Sequence, residues 1–260
     1  MKTLKIVFFC SICCFVLDSC SDDNVPEVTD VKCLLAETWS SQKFAYINEK
    51  FTYDSANRLI KSVSKINFEN PVITTFEYLD GRIDLVDDGI TQSKFIYTDD
   101  GIIPNQIDLK TATRDRGYYK LAYSDGNITM AERHWYNVDN EDITVYIVSV
   151  SYNENKNVTA AKIERNRNDS AGTMYLDLEL KNAVHSQGRN PFVDNMPIHF
   201  LKGFYPFSYG QYSITGGELF SGEFQIEDYK MMYDYDDYDN PLKANYQDSS
   251  RLETFSYECR

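Results

Sequence analysis

A short pattern recurs along most of this chain: an aromatic residue, any residue, a tyrosine, then a turn rich in Asp, Asn and Gly. It reads Phe51-Thr52-Tyr53 before Asp54 to Arg58, Phe76-Glu77-Tyr78 before Leu79-Asp80-Gly81, and Phe95-Ile96-Tyr97 before Thr98 to Gly101. Looser copies are Leu121-Ala122-Tyr123 with Asp125-Gly126-Asn127, Val150-Ser151-Tyr152 with Asn153 to Asn157, and Tyr233-Asp234-Tyr235 with Asp236 to Asn240; Phe255-Ser256-Tyr257 closes the series. Residues two apart share one face of a strand, where large rings cover a core. Asp-Gly and Asn-rich turns accept the positive φ that tight hairpins demand. Each copy therefore predicts strand, turn, strand. Thr144, Tyr146, Val148, Val150 and Tyr152 alternate in the same way, as do Met174, Leu176, Leu178 and Leu180. No stretch carries a helical period for more than about two turns. The expected fold is all-β, an antiparallel β-meander of roughly 12–16 strands. Such a sheet should curl into a barrel or half-barrel, because a flat one leaves its edges exposed. Charged residues fall on both faces of many strands, which leaves no outward apolar band for a membrane-spanning barrel, so a soluble one is expected.

The amino terminus has a different grammar. Met1-Lys2-Thr3-Leu4-Lys5 precedes an apolar run from Ile6 to Leu17, the charged and apolar regions of a secretory signal. The run is shorter than the roughly 20 residues of a membrane-spanning helix. It ends in Leu17-Asp18-Ser19-Cys20, which resembles the lipobox of bacterial lipoproteins, with a large aliphatic residue three before the cysteine and a small one just before it. The resemblance implies a signal peptide over residues 1–19, cleavage before Cys20 and lipidation of that cysteine. An ordinary cleaved signal, or cleavage at Cys14, are the alternatives. Several acyl chains at about 0.8 kcal/mol per buried methylene would hold the membrane firmly. Residues 20–32 read as a solvated acidic tether. Its Ser21-Asp22-Asp23 is similar to the export signal of Bacteroidetes surface lipoproteins, which implies an outer-membrane protein facing the cell exterior; the periplasmic face is the alternative.

Residues 33–260 are expected to form a single all-β domain, since no linker or low-complexity stretch divides them. The net charge of −14 argues against nucleic acid and against electrostatic binding to anionic lipid. The membrane is expected as a partner only through the lipid anchor, with a glycan or envelope protein as the other candidates. Cys10, Cys13 and Cys14 leave with the signal, so only Cys33 and Cys259 remain in the domain. In an oxidising compartment they form either a disulfide or two separate thiols. Two cysteines without partners at ligand spacing make a poor zinc site.

The least strand-like stretch runs from Asn182 to Gly217. It holds Pro191, Pro197 and Pro206 and a dense set of rings: Phe192, Phe200, Phe204, Tyr205, Phe207, Tyr209 and Tyr212. These rings would either form a ligand site at a barrel mouth or plug one end of the core. His134, His185 and His199 lack ligand spacing. Asp234, Asp236, Asp237 and Asp239 lack the glycine and oxygen ligand of a calcium loop. No catalytic residue, metal or cofactor is assigned. Asp54-Ser55-Ala56 and Asp169-Ser170-Ala171 resemble the acceptor motif of Bacteroidetes protein O-glycosylation, which implies Ser55 and Ser170 as modification sites.

The tyrosine-aspartate repeats, Gly188-Arg189-Asn190-Pro191-Phe192 and the closing Tyr257-Glu258-Cys259 together resemble a Bacteroidetes lipoprotein family of unknown function with a porin-like fold. The resemblance implies the barrel or half-barrel and a Cys33–Cys259 bridge, and supplies no activity. A shorter likeness to the tyrosine-aspartate repeats of polymorphic toxins reflects the same strand-turn logic. The expected function is a non-catalytic surface lipoprotein binding a glycan, a host component or an envelope partner. A structural envelope lipoprotein is the alternative, and a polysaccharide-acting enzyme comes third.

Overall fold

In the computed structural model the described residues are 32–42, 45–67, 69–98, 101, 103–137, 139, 141–166, 173–192, 195–204, 206, 209–222, 224–246 and 251–259. Cys20, with the signal and the tether as far as residue 31, lies outside them, as do Ser170, Tyr205 and Phe207.

The strands are β1 (Cys33–Gln42), β2 (Ala45–Tyr53), β3 (Leu59–Ile66), β4 (Val72–Leu79), β5 (Arg82–Asp87), β6 (Thr91–Tyr97), β7 (Pro104–Thr111) and β8 (Asp115–Ser124). They continue as β9 (Asn127–Tyr136), β10 (Asp142–Tyr152), β11 (Val158–Asn166), β12 (Met174–Arg189), β13 (Tyr212–Ser221), β14 (Phe224–Tyr235), β15 (Pro241–Tyr246) and β16 (Leu252–Cys259). Each pairs antiparallel with its neighbours in sequence, and β1 pairs with β16, closing a barrel of sixteen strands. Closure removes both sheet edges. Cys33 stands opposite Cys259 at this seam and is bonded to it, with Cα atoms 3.9 Å apart.

The repeat pattern builds this barrel through two devices. The first is the turn. Asp80-Gly81 and Asp125-Gly126 have positive φ throughout and make two-residue hairpins between Leu79 and Arg82 and between Ser124 and Asn127. Three longer loops share one hydrogen-bond plan. In the first, Asp54 Oδ1 accepts the backbone N–H groups of Ala56 and Arg58, while Asp54 N donates to Arg58 O. Asn153 does the same for Asn155 and Asn157, and Asp236 for Tyr238 and Asn240. The fourth residue of each loop (Asn57, Lys156, Asp239) is left-handed. The side chain thus supplies the acceptor that hairpin geometry lacks.

The second device is the tyrosine. Phe51 and Tyr53, Phe76 and Phe95 point inward and are buried. Five of the seven repeat hydroxyls donate to the carbonyl near the start of the preceding strand: Tyr53 to Leu35, Tyr78 to Leu59, Tyr97 to Ile83, Tyr152 to Ile128 and Tyr257 to Pro241, all at 2.8–3.0 Å, while that of Tyr235 donates to Ser186 Oγ of β12. Burial pushes the hydroxyls of Tyr53, Tyr78 and Tyr97 up to about 12, so they remain donors at neutral pH. Tyr78→Phe, Tyr97→Phe and Tyr152→Phe are each expected to cost about 1 kcal/mol, the usual net worth of one such bond. Urea unfolding midpoints measure this; unchanged midpoints would mean the bonds lend no stability.

Up-and-down connectivity places every one of these turns at the same end of the barrel, together with the disulfide. The outward positions carry Lys50, Lys61, Lys65, Glu77, Lys94, Lys110, Lys120 and Lys181, all exposed. Ion pairs such as Lys50–Glu37 (3.6 Å), Lys94–Asp84 (2.5 Å) and Lys162–Glu164 (2.9 Å) run across and along this face. Such pairs add little stability. They set charge on the outer wall, where a lysine facing lipid at mid-bilayer depth would cost about 2–4 kcal/mol.

The expected irregular stretch from Asn182 to Gly217 is shorter than its composition suggests. Asn182–Arg189 continues β12, and Tyr212–Gly217 opens β13. Register shifts after Lys181, Val184 and His185 break the two-residue alternation, and bulges of this kind hide a strand from pattern reading. Gly188 sits where any Cβ would fall inside the Tyr235 ring.

Candidate functional site

Between β12 and β13 the chain leaves the wall and fills the barrel. Asn190, buried, ties the two ends of this excursion together. Its backbone N–H donates to Gln211 O, its Nδ2 to Tyr209 O, and its Oδ1 accepts from Phe192 N. A short helix, α1 (Met196–Leu201), starts at Asn195, whose Oδ1 caps Ile198 N, with Pro197 in its first turn. Proline suits that position because its missing N–H would have no helical partner. Gly203 and Phe204 are both left-handed and turn the chain sharply after it.

The contacts of this segment fix its place. Phe200 packs on Phe95 of β6 (5.4 Å) and Phe204 on Tyr119 of β8 (5.2 Å). Phe192 meets Phe255 of β16, Tyr146 of β10 donates to Gly203 O (3.0 Å), and Lys202 is ion-paired with Glu49 of β2. Glu49 also accepts from Thr38. Side chains from β2, β6, β8, β10 and β16 can meet one segment only inside the barrel. Of the rings singled out in the sequence, Phe204 and Tyr209 are buried and Phe192 and Phe200 pack against the core, while Tyr212 is exposed at the start of β13.

An open cleft of about 390 Å³ remains at the turn-bearing end, between this segment and the loops around β7, β9 and β11. Tyr123, Ile128, Tyr152, Met196, His199 and Tyr209 line it, with Asn127, Lys156 and Gln211 also bordering it. Sequence reading found Tyr209 but not its partners, because Tyr123 and Tyr152 look like every other repeat tyrosine. His199 is 8% exposed and its ring lies tilted against that of Tyr209 (centroids 4.8 Å apart). Desolvation lowers its pKa to about 4, so it is neutral at physiological pH. The unfolded chain takes up that proton below about 6.5 while the folded one resists it. Stability is therefore lost as pH falls from there toward 4, by about 3 kcal/mol in all at 1.36 kcal/mol per unit. Urea midpoints followed down this range are expected to fall more steeply for the unaltered protein than for His199→Leu; parallel curves would show that His199 is not responsible.

The other histidines lie elsewhere. His134, on β9, stacks on Tyr118 (4.4 Å) and contacts Asp142 and Glu132; His185 lies on β12. Among the described residues no group of three or more His, Cys, Asp or Glu is placed to hold a metal. Ser55 is exposed in the Asp54 loop.

No family model and no curated protein matches the chain. Solved structures do. A porin-like protein from Bacteroides uniformis superposes with a TM-score of 0.58 at 16% identity, over 88% of this chain and 98% of that one. A porin-like protein from Bacteroides vulgatus gives 0.43 at 13% identity, over 87% and 99%. The Photorhabdus luminescens Tc holotoxin pore gives 0.29 at 11%, over 81% of this chain and 13% of that one. The first of these likenesses carries the fold: this chain shares the all-β barrel fold of that porin-like protein.

Proposed function

We propose that this protein is a non-catalytic lipoprotein of the outer membrane, anchored through Cys20 and facing the cell exterior, whose barrel is a filled scaffold for binding a glycan, a host component or an envelope partner. The observation that carries this reading is the occupied interior. A barrel whose lumen is filled by its own α1 segment and whose outer wall is charged is suited neither to conducting solutes nor to lying in lipid. What it offers instead is a rigid frame around an open cleft, and binding sites favour rigid frames of this kind. The lipobox and acidic tether support the anchor and its outward export.

Protease shaving of intact cells tests the placement, with immunoblotting for this domain and for a periplasmic control. Loss of the domain while the control survives is the expected result. Protection until the outer membrane is opened would contradict it and would move the search to periplasmic partners.

A further inference from the structure

The repeat supplies its own reference for one anomaly. Five repeat tyrosines donate to a carbonyl of the preceding strand. Tyr123 occupies the corresponding place on β8, yet its buried hydroxyl has no partner. Tyr209, 3% exposed, also has a buried hydroxyl without a partner. Both residues line the same cleft. A buried donor left unmet costs about 1–3 kcal/mol, and two of them beside one opening call for a partner that enters through it.

We propose that this cleft binds an uncharged mono- or disaccharide whose oxygens accept hydrogen bonds from Tyr123 and Tyr209. The inference rests on the binding-module reading above and names its site and ligand class. Burial keeps both phenols protonated, so they present donors and require a ligand rich in acceptors. Among the described lining residues Lys156 alone is cationic, and it is exposed. An ionised ligand would lose its hydration without a buried counter-charge, which selects a neutral one. Ile128, Met196 and the rings of Tyr152 and Tyr209 offer apolar surface to the C–H faces of a sugar. Asn127 and Gln211 add amides for its outer hydroxyls. The volume of about 390 Å³ lies low in the range of small-ligand pockets, which favours a short saccharide over a long chain.

Saturation-transfer NMR of the purified protein with glucose, galactose, mannose, N-acetylglucosamine, maltose and lactose tests the proposal. At least one of these sugars is expected to bind, and Tyr123→Phe and Tyr209→Phe are each expected to weaken it about tenfold. Neither variant should lower the melting temperature, because the hydroxyl removed had no protein partner. Equal binding by both variants overturns the cleft assignment and leaves the module reading standing. Failure of every sugar, with an envelope protein captured on the same immobilised chain, has the same meaning. Lower melting in the Phe variants would show that the hydroxyls are satisfied within the fold by buried water, and the proposal falls. If neither sugar nor protein binds, the module reading falls with it.

Discussion

Removing the bridge with Cys33→Ser and Cys259→Ser together is expected to lower stability by about 5 kcal/mol. The bonded cysteines are 226 residues apart, so almost the whole unfolded domain is held in one loop. In the chain-entropy model the benefit grows with the logarithm of loop length. For a domain of this size the loss corresponds to roughly 10–20 °C in melting temperature. The folded barrel should survive, because the β1–β16 seam keeps its own ladder from Cys33↔Cys259 to Ser41↔Leu252. Thermal melts with and without reductant measure the loss, and hydrogen exchange along β1 and β16 tests the seam. A shift of only a degree or two would mean that the unfolded chain is already compact.

Gly117→Ala is expected to cost about 3–5 kcal/mol, combining backbone strain with overpacking. Gly117 lies on β8 at φ +142°, opposite Trp135 of β9. A Cβ there would overlap the His134 carbonyl oxygen and stand 2.8 Å from Trp135 Cα. These are backbone atoms in a closed barrel, so neither neighbour can rotate away. Gly81→Ala is the control, since its φ is also positive but its Cβ would meet nothing within 4 Å. It should cost about 1 kcal/mol. Equal losses at the two positions, read from urea midpoints, would show that sheet packing at Gly117 is looser than its geometry implies.

The parts of this fold that were legible in the sequence are those governed by local chemistry. Aromatic alternation placed Phe51, Phe76 and Phe95 on the inner face, and Asp80-Gly81 and Asp125-Gly126 announced their hairpins. The Tyr-Asp run at 233–240 read as strand and turn, and Asp236 spends its Oδ1 on the N–H groups of Tyr238 and Asn240. Closure of the barrel was less legible, because the β1–β16 pairing joins the two ends of the domain. The extent of β12 was hidden by its bulges, which shift the register after Lys181, Val184 and His185. The interior segment was recognised by its rings as a plug or a site at the barrel mouth, but the strands it meets were not. The Lys202–Glu49 pair spans 153 residues, and no local pattern links its members. Tyr123 was concealed for the opposite reason: its sequence context is that of its siblings, and only the missing acceptor sets it apart.

The barrel is held to stand in water, attached to the membrane by lipid alone. The direct test is to secrete residues 33–260 behind an ordinary cleavable signal, without Cys20, and to separate the cell extract by detergent phase partition. A folded, disulfide-bonded domain recovered in the aqueous phase is the predicted result. Retention of the same folded domain in the outer-membrane fraction, resistant to high salt and alkaline washing, would contradict it and make the charged wall of the barrel a membrane-facing surface after all.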